Sequence, residues 1–223
     1  INQDKTYQYD WSGDNKNHLA FFDMKTPDLT IKSNKGYNVI ETNQNSDYSS
    51  NNYNIDYTYG GGHDLVQSYS YSNDTYRVDM SGKVYLDIAD GGGKNNLIIS
   101  NLKGGANNFR TFFEVIYDGG TWNGRYNYFM TADNLKKGNF ITKNDFDIKD
   151  GIDYSGNVSK ITVNGEEINY SDVHEQIRSE VANWLNNGDK YYSAIQVLQE
   201  GSKSDINTLL AFYNKPFSIK EPS

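Results

Sequence analysis

The chain has no cysteine, so neither a disulfide nor a thiolate metal site stabilises it, and thiol nucleophile chemistry is excluded. No apolar run approaches membrane-spanning length, so no transmembrane segment is expected. Positive charge is in deficit, with 21 Lys and Arg against 29 Asp and Glu and a formal net charge of −8. A surface of that sign repels phosphate backbones and anionic lipid, which removes nucleic acid from the expected partners. Divalent cations are its natural counter-ligands, although mild acidity also simply keeps a protein in solution. Hydrophobic residues are only 36% of the chain, yet 19 Tyr, 10 Phe and 3 Trp mean that rings carry much of the burial. The chain opens at Ile1 without an initiator Met or a signal-like segment, and reads as a processed piece of something longer.

What is present is a two-residue rhythm. Short alternating groups at Leu29–Ile31, Val39–Ile40, Ile55–Tyr57, Val84–Leu86–Ile88 and Leu97–Ile99 predict strands, separated by Asn, Asp, Ser and Gly clusters that supply turns. The stretch from Thr42 to Asn54, with Tyr48 and Tyr53, reads as a linker or an ordered surface loop. So many short strands predict a mainly β fold: a β-solenoid or β-roll-like stack, a barrel, or a β-sandwich. From Ser171 the period changes. Val173, Ile177, Val181, Trp184 and Leu185 share one helical face, opened by Asp172 with Glu175 three positions on, and Gly188 ends it. Asp189 and Ser204 offer caps for two more short helices. The expected organisation is a β-rich domain over 1–165 and a small helical C-terminal cap over 166–223, docked on the β part because so few residues bury no core of their own.

Two glycine-rich segments align without gaps: Tyr59-Gly60-Gly61-Gly62-His63-Asp64-Leu65-Val66 and Asp90-Gly91-Gly92-Gly93-Lys94-Asn95-Asn96-Leu97. Weaker echoes occur at Gly36-Tyr37-Asn38-Val39-Ile40 and Gly82-Lys83-Val84-Tyr85-Leu86. Here the sequence resembles the RTX (repeats-in-toxin) calcium-binding nonapeptides of type I secreted bacterial proteins. In that family glycine turns and Asp carboxylates hold Ca²⁺ between coils of a parallel β-roll, while an aliphatic residue fills the core. Carried over by position, the resemblance makes Asp64 a calcium ligand, Asn95 and Asn38 neutral ones, and Val66, Leu97 and Ile40 core residues. Asp90, at the head of the second segment, joins the ligand set. The copies are unevenly spaced, unlike a continuous array, and glycine triplets are equally what hairpin turns and close backbone approaches require. The C-terminal helical segments, including Val181-Ala182-Asn183-Trp184-Leu185, look like small helical regions near the ends of large RTX-type exported proteins.

A further acidic group, Asp145, Asp147 and Asp150 with Asp153, alternates with Phe146, Ile148 and Ile152 and offers oxygens for one ion, or a solvated acidic turn. Trp11, Trp122 and Tyr126, with Tyr128 and Phe129, lie among Gly, Asn and Asp as rings do in sugar sites, or form one face of an ordinary strand. Enzyme signatures are absent. His174-Glu175 starts like a zinc-protease helix, but the second His is missing. The three histidines, His18, His63 and His174, are far apart in sequence with no nucleophile elbow, while paired carboxylates for glycoside chemistry stay open. The function expected is an extracellular, calcium-stabilised structural or adhesive module of a secreted RTX-like surface protein or toxin. Its partners would be calcium and a cell-surface glycan or other surface protein, and its place the bacterial cell surface or exterior. Alternatives are a carbohydrate-binding module and a fragment of a secreted hydrolase or protease.

Overall fold

Alternation of side chains across a strand puts every second residue on one face, and the strands of this chain use it to build two facing sheets. The computed structural model describes residues 5–11, 16–22, 28–42, 54–68, 71–142 and 145–221, and within 5–22 only the side chains of Asn17 and Leu19. The strands are β1 (Lys5–Trp11), β2 (Lys16–Phe22), β3 (Asp28–Lys32), β4 (Tyr37–Thr42), β5 (Asn54–Thr58), β6 (His63–Ser68), β7 (Thr75–Asp79), β8 (Tyr85–Asp90) and β9 (Asn96–Ser100). They are followed by the long pair β10 (Phe109–Asp118) and β11 (Thr121–Thr131), then β12 (Gly151–Ser155), β13 (Lys160–Val163) and β14 (Glu166–Glu167). The helices are α1 (Ala132–Lys137), α2 (Tyr170–Gly188), α3 (Ala194–Glu200) and α4 (Lys203–Tyr213).

The large sheet has the order β1-β2-β4-β6-β8-β12-β11-β10 and the small one β14-β13-β9-β7-β5-β3. From β2 to β9 successive strands alternate between the sheets, so parallel neighbours such as β4 and β6, or β7 and β9, are two elements apart in sequence. Antiparallel pairs interrupt this pattern at β1–β2, β10–β11, β11–β12 and β13–β14. The space between the sheets is filled by Ile40, Val66, Leu86 and Ile88 from one side and Tyr57, Tyr76, Val78, Leu97 and Ile99 from the other.

This corrects the expected architecture. The chain is mainly β, with 43% of the described residues in strands, but its two mixed, mostly parallel sheets and its helices make an α/β-like fold, not a β-solenoid, and neither sheet closes into a barrel. The sequence reading placed repeat-like glycine turns between strands of a solenoid, barrel or sandwich, with a helical cap. Instead, after β9 the chain leaves the parallel pattern for the β10–β11 hairpin, and α1 to α4 all pack on β10. Phe112 and Phe113 of β10 meet Tyr213 of α4, whose hydroxyl donates to the Phe113 carbonyl at 2.6 Å. Helices and strands therefore share one hydrophobic core.

Helix boundaries follow the capping groups. α2 buries Val173, Ile177, Val181 and Leu185 as its period requires, but starts at Tyr170, so Asp172 lies inside the first turn. Asp189 takes the left-handed position that closes α2 at φ 48°, and Ser193 and Ser202 instead cap α3 and α4 through their hydroxyls.

The glycine segments are not hairpin tips. Tyr59–Gly62 joins β5 to β6 across the two sheets and lies against the turn after β3. A Cβ on Gly62 would sit 2.1 Å from the Gly36 carbonyl oxygen, so only glycine permits this approach. On the opposite edge, the turn from β8 to β9 lies against Ser72, whose carbonyl oxygen a Cβ on Gly93 would meet at 2.0 Å.

Candidate functional site: the outer face of the large sheet

The inward positions of the large sheet carry polar side chains at both ends of the core. At one end, register sets Asn17, Asn38 and Asp64 side by side on β2, β4 and β6. Asn17 Nδ2 donates to Asn38 Oδ1 at 3.2 Å, and Asn38 Nδ2 to Asp64 Oδ1 at 2.8 Å. The Tyr57 hydroxyl reaches across from the small sheet to donate to Asp64 Oδ2. Burial raises the Asp64 carboxyl above the usual carboxylate range, opposed by hydrogen bonds from Ser33, Tyr57 and Asn38.

At the other end, Asn95 Nδ2 donates to Asp90 Oδ1 at 2.9 Å and to the carbonyls of Gly92 and Asn157, while its Oδ1 accepts from the Asp74 N–H at 3.0 Å. The Tyr76 hydroxyl and the Gly92 N–H also donate to Asp90. Burial, then a hydrogen bond with the Asp74 carboxyl, pushes Asp90 up to about 8.

These donor sets do not fit a calcium ion as they stand. Calcium takes six to eight oxygens, whereas the carboxylate oxygens of Asp64 and Asp90 already face amide N–H and phenol O–H groups. Among the described residues no group of three or more His, Asp or Glu side chains is arranged to hold a metal ion.

The outward positions of the same strands differ. Register aligns Tyr37, His63 and Tyr85 on β4, β6 and β8. Their rings form a continuous ladder, with centroids 3.9 Å apart for Tyr37 and His63 and 3.5 Å for His63 and Tyr85. Lys35 and Lys83 flank it, and the rings with Gly61 and Gly62 line a shallow cleft of about 490 Å³.

One row further along the strands, Asp87 of β8 pairs with Asp153 of β12, which pairs in turn with Tyr128 of β11. His63 Nε2 lies 3.7 Å from Asp87 Oδ2. Asp153 is raised to about 7 by burial, by the Asp87 charge and by a hydrogen bond to it, and Asp87 to about 6 by burial and the Asp147 charge. A hydrogen bond joins the two carboxyls, so the pair shares one proton. Such contact is too close for the 5 Å or greater carboxyl separation of glycoside hydrolysis. Tyr128 donates to the Phe146 carbonyl at 3.2 Å, which ties the segment carrying Asp147 to this face.

The acidic group expected from sequence is thus divided. Asp147 joins Asp87 and Asp153, Asp150 accepts from the Val84 N–H at 3.0 Å and fixes the start of β8, and Asp145 is exposed in the turn. Trp122 and Tyr126 lie on the β10–β11 hairpin, separated from the aromatic ladder by β12. Trp122 packs on Tyr117 at 5.3 Å, while Tyr126 is 49% exposed beneath the Arg125 guanidinium. The side chain of Trp11, and residues 43–53 with Tyr48 and Tyr53, lie outside the described residues.

Sequence reasoning missed Asp87 as a site residue and read Tyr37 and Tyr85 only as glycine-turn neighbours. The available signal was their offset, since each stands at an odd position in a strand whose even positions are aliphatic or polar core. His174, the start of the incomplete zinc motif, stacks on Phe113 at 3.8 Å, and burial lowers it to about 4. No helix among the described residues is long and apolar enough to cross a membrane. Comparison with protein-family models, with curated proteins and with solved structures found no match.

Proposed function

We propose that this chain is a binding module of an exported protein, taking a carbohydrate on the outer face of its large sheet. The observation that carries the reading is the Tyr37–His63–Tyr85 ladder set one row from Asp87 and Asp153. Flat rings accept the C–H face of a sugar, and carboxylates and imidazole beside them accept or donate to its hydroxyls. The same carboxylates and the net charge of −8 disfavour a nucleic acid stacked on those rings. The test is a glycan array followed by calorimetry. Tyr37→Ala and Tyr85→Ala, both at half-buried outward positions, are expected to weaken binding at least tenfold with little change in melting temperature, whereas Trp122→Ala is expected to retain it. Loss of binding in Trp122→Ala alone would place the sugar on the hairpin and end this reading.

The surface location, and the structural or adhesive role in an RTX-like secreted protein, rest on the sequence resemblance. Calcium enters the proposal in a narrower form than the turns suggested. On the outer face the Asp147 charge raises both Asp87 and Asp153, and the Asp87 charge raises Asp153 further; a calcium titration of the melting temperature tests whether an ion relieves them.

A further inference from the structure

A separate cavity of about 480 Å³ opens between the end of α1, the segment that follows it, and the α3–α4 corner. Its volume is within the range of small-molecule sites. Phe140, Ile141, Phe146, Leu198 and Leu210 supply an apolar floor. Around them stand Lys136, Lys137 and Lys203, and among the described residues no acidic one lines the space, although acids exceed bases by 29 to 21 in the chain. A second cavity of about 320 Å³ shares Lys136, Asn207 and Leu210 with the first, so the apolar space is elongated.

Two of the lysines have local explanations. Lys136 and Lys137 close α1, where cations favour the helix dipole, and Lys137 pairs with Asp133 at 2.8 Å. Lys203 has none of that kind: it is the first residue of α4, the end where the dipole opposes a cation. Phe146 is also held at φ 55°, a conformation that a bulky side chain resists and that concentrates at functional sites.

We infer that this cavity binds a small anionic amphiphile, an acyl-chain carboxylate whose tail lies on the Phe140–Leu210 floor and whose head group is met by Lys136 and Lys203. This site is independent of the carbohydrate face and stands or falls without it. The test uses the full chain and decanoate below its micellar concentration, followed by calorimetry and by amide chemical shifts. Decanoate is expected to bind saturably and to perturb amides of α1 and α4. Decanol and decyltrimethylammonium, with the same tail and no anion, are expected to bind at least tenfold more weakly. Lys203→Glu and Lys136→Glu, both exposed, are expected to lower decanoate affinity at least tenfold with the melting temperature unchanged. Equal binding of decanol, retention of decanoate affinity in both variants, or binding only to anionic vesicles and not to monomeric decanoate would each overturn the inference.

Discussion

The inward and outward faces of β4, β6 and β8 are made from the same eighteen consecutive-strand positions, yet they treat carboxylates in opposite ways. Inward, Asp64 is fully buried and receives an amide N–H and a phenol O–H, so its charge is held by neutral donors fixed on two sheets. Outward, Asp87 faces Asp153 and Asp147, so its nearest partners include more acid, with the His63 imidazole beside it. Burial acts on both faces. What differs is the supply of donors, and that separates a carboxylate serving the core from a pair left ready to meet something from outside.

The largest effect is expected at Asp64. Replacing it with Ala takes the acceptor from one N–H of the Asn38 amide and from the Tyr57 hydroxyl, and each unsatisfied group costs about 1–3 kcal/mol. Asp64→Ala should therefore lower unfolding free energy by about 3 kcal/mol or more in urea titrations, while Asp87→Ala on the outer face should cost less than about 1 kcal/mol at neutral pH. Equal losses at the two positions would break the distinction between the faces.

A smaller effect, visible mainly as a pH slope, is expected from Asp153→Asn. A carboxyl raised in the folded state to about 7 favours the protonated form. Its stabilisation is complete below the unfolded carboxylate range near 4 and is lost as pH rises through about 6 and 7, the values of Asp87 and Asp153. The protein should accordingly lose stability on the order of 1–3 kcal/mol between pH 4 and pH 7.5 through this pair. Asp153→Asn should remove the pair's share of the pH slope, leaving the separate contribution of Asp90, which reaches to about pH 8. Melting temperatures of both proteins across that range check it, and an unchanged slope in the variant would show that the pair shares no proton.

How much of this was legible in sequence depended on range. The two-residue rhythm located β3, β4, β5, β8 and β9 because alternation is a local property, and the change of period at Ser171 located α2 for the same reason. Glycine turns were also visible, and a close backbone approach was among the readings open for them, but the neighbour was not: Gly62 is required by the Gly36 carbonyl, brought there only by stacking. The register that puts Asp87 beside Asp153, 66 positions later, depends on β12 returning to pair with β8 after the hairpin and α1. The acidic group at Asp145–Asp153 was recognised as one unit and is in fact three, because its members serve a strand start, an outer face and solvent.

The smallest expected effect concerns calcium. An ion that filled the turns would have to displace the Asn38 and Tyr57 donors from Asp64, or the Asn95, Tyr76 and Gly92 donors from Asp90, and the buried Tyr57 and Tyr76 hydroxyls would lose the carboxylates they donate to. The outer face offers Asp87, Asp147 and Asp153 at no such cost, but Asp147 is exposed and few further oxygens converge there. Millimolar calcium should therefore raise the melting temperature by only about 1–2 °C, as expected for a ligand near its dissociation constant. Asp147→Asn should remove that rise, and Asp64→Asn should leave it intact. A rise above about 10 °C that Asp64→Asn abolishes would reverse the assignment, making the inward row the cation-binding one and the donors seen there its resting state.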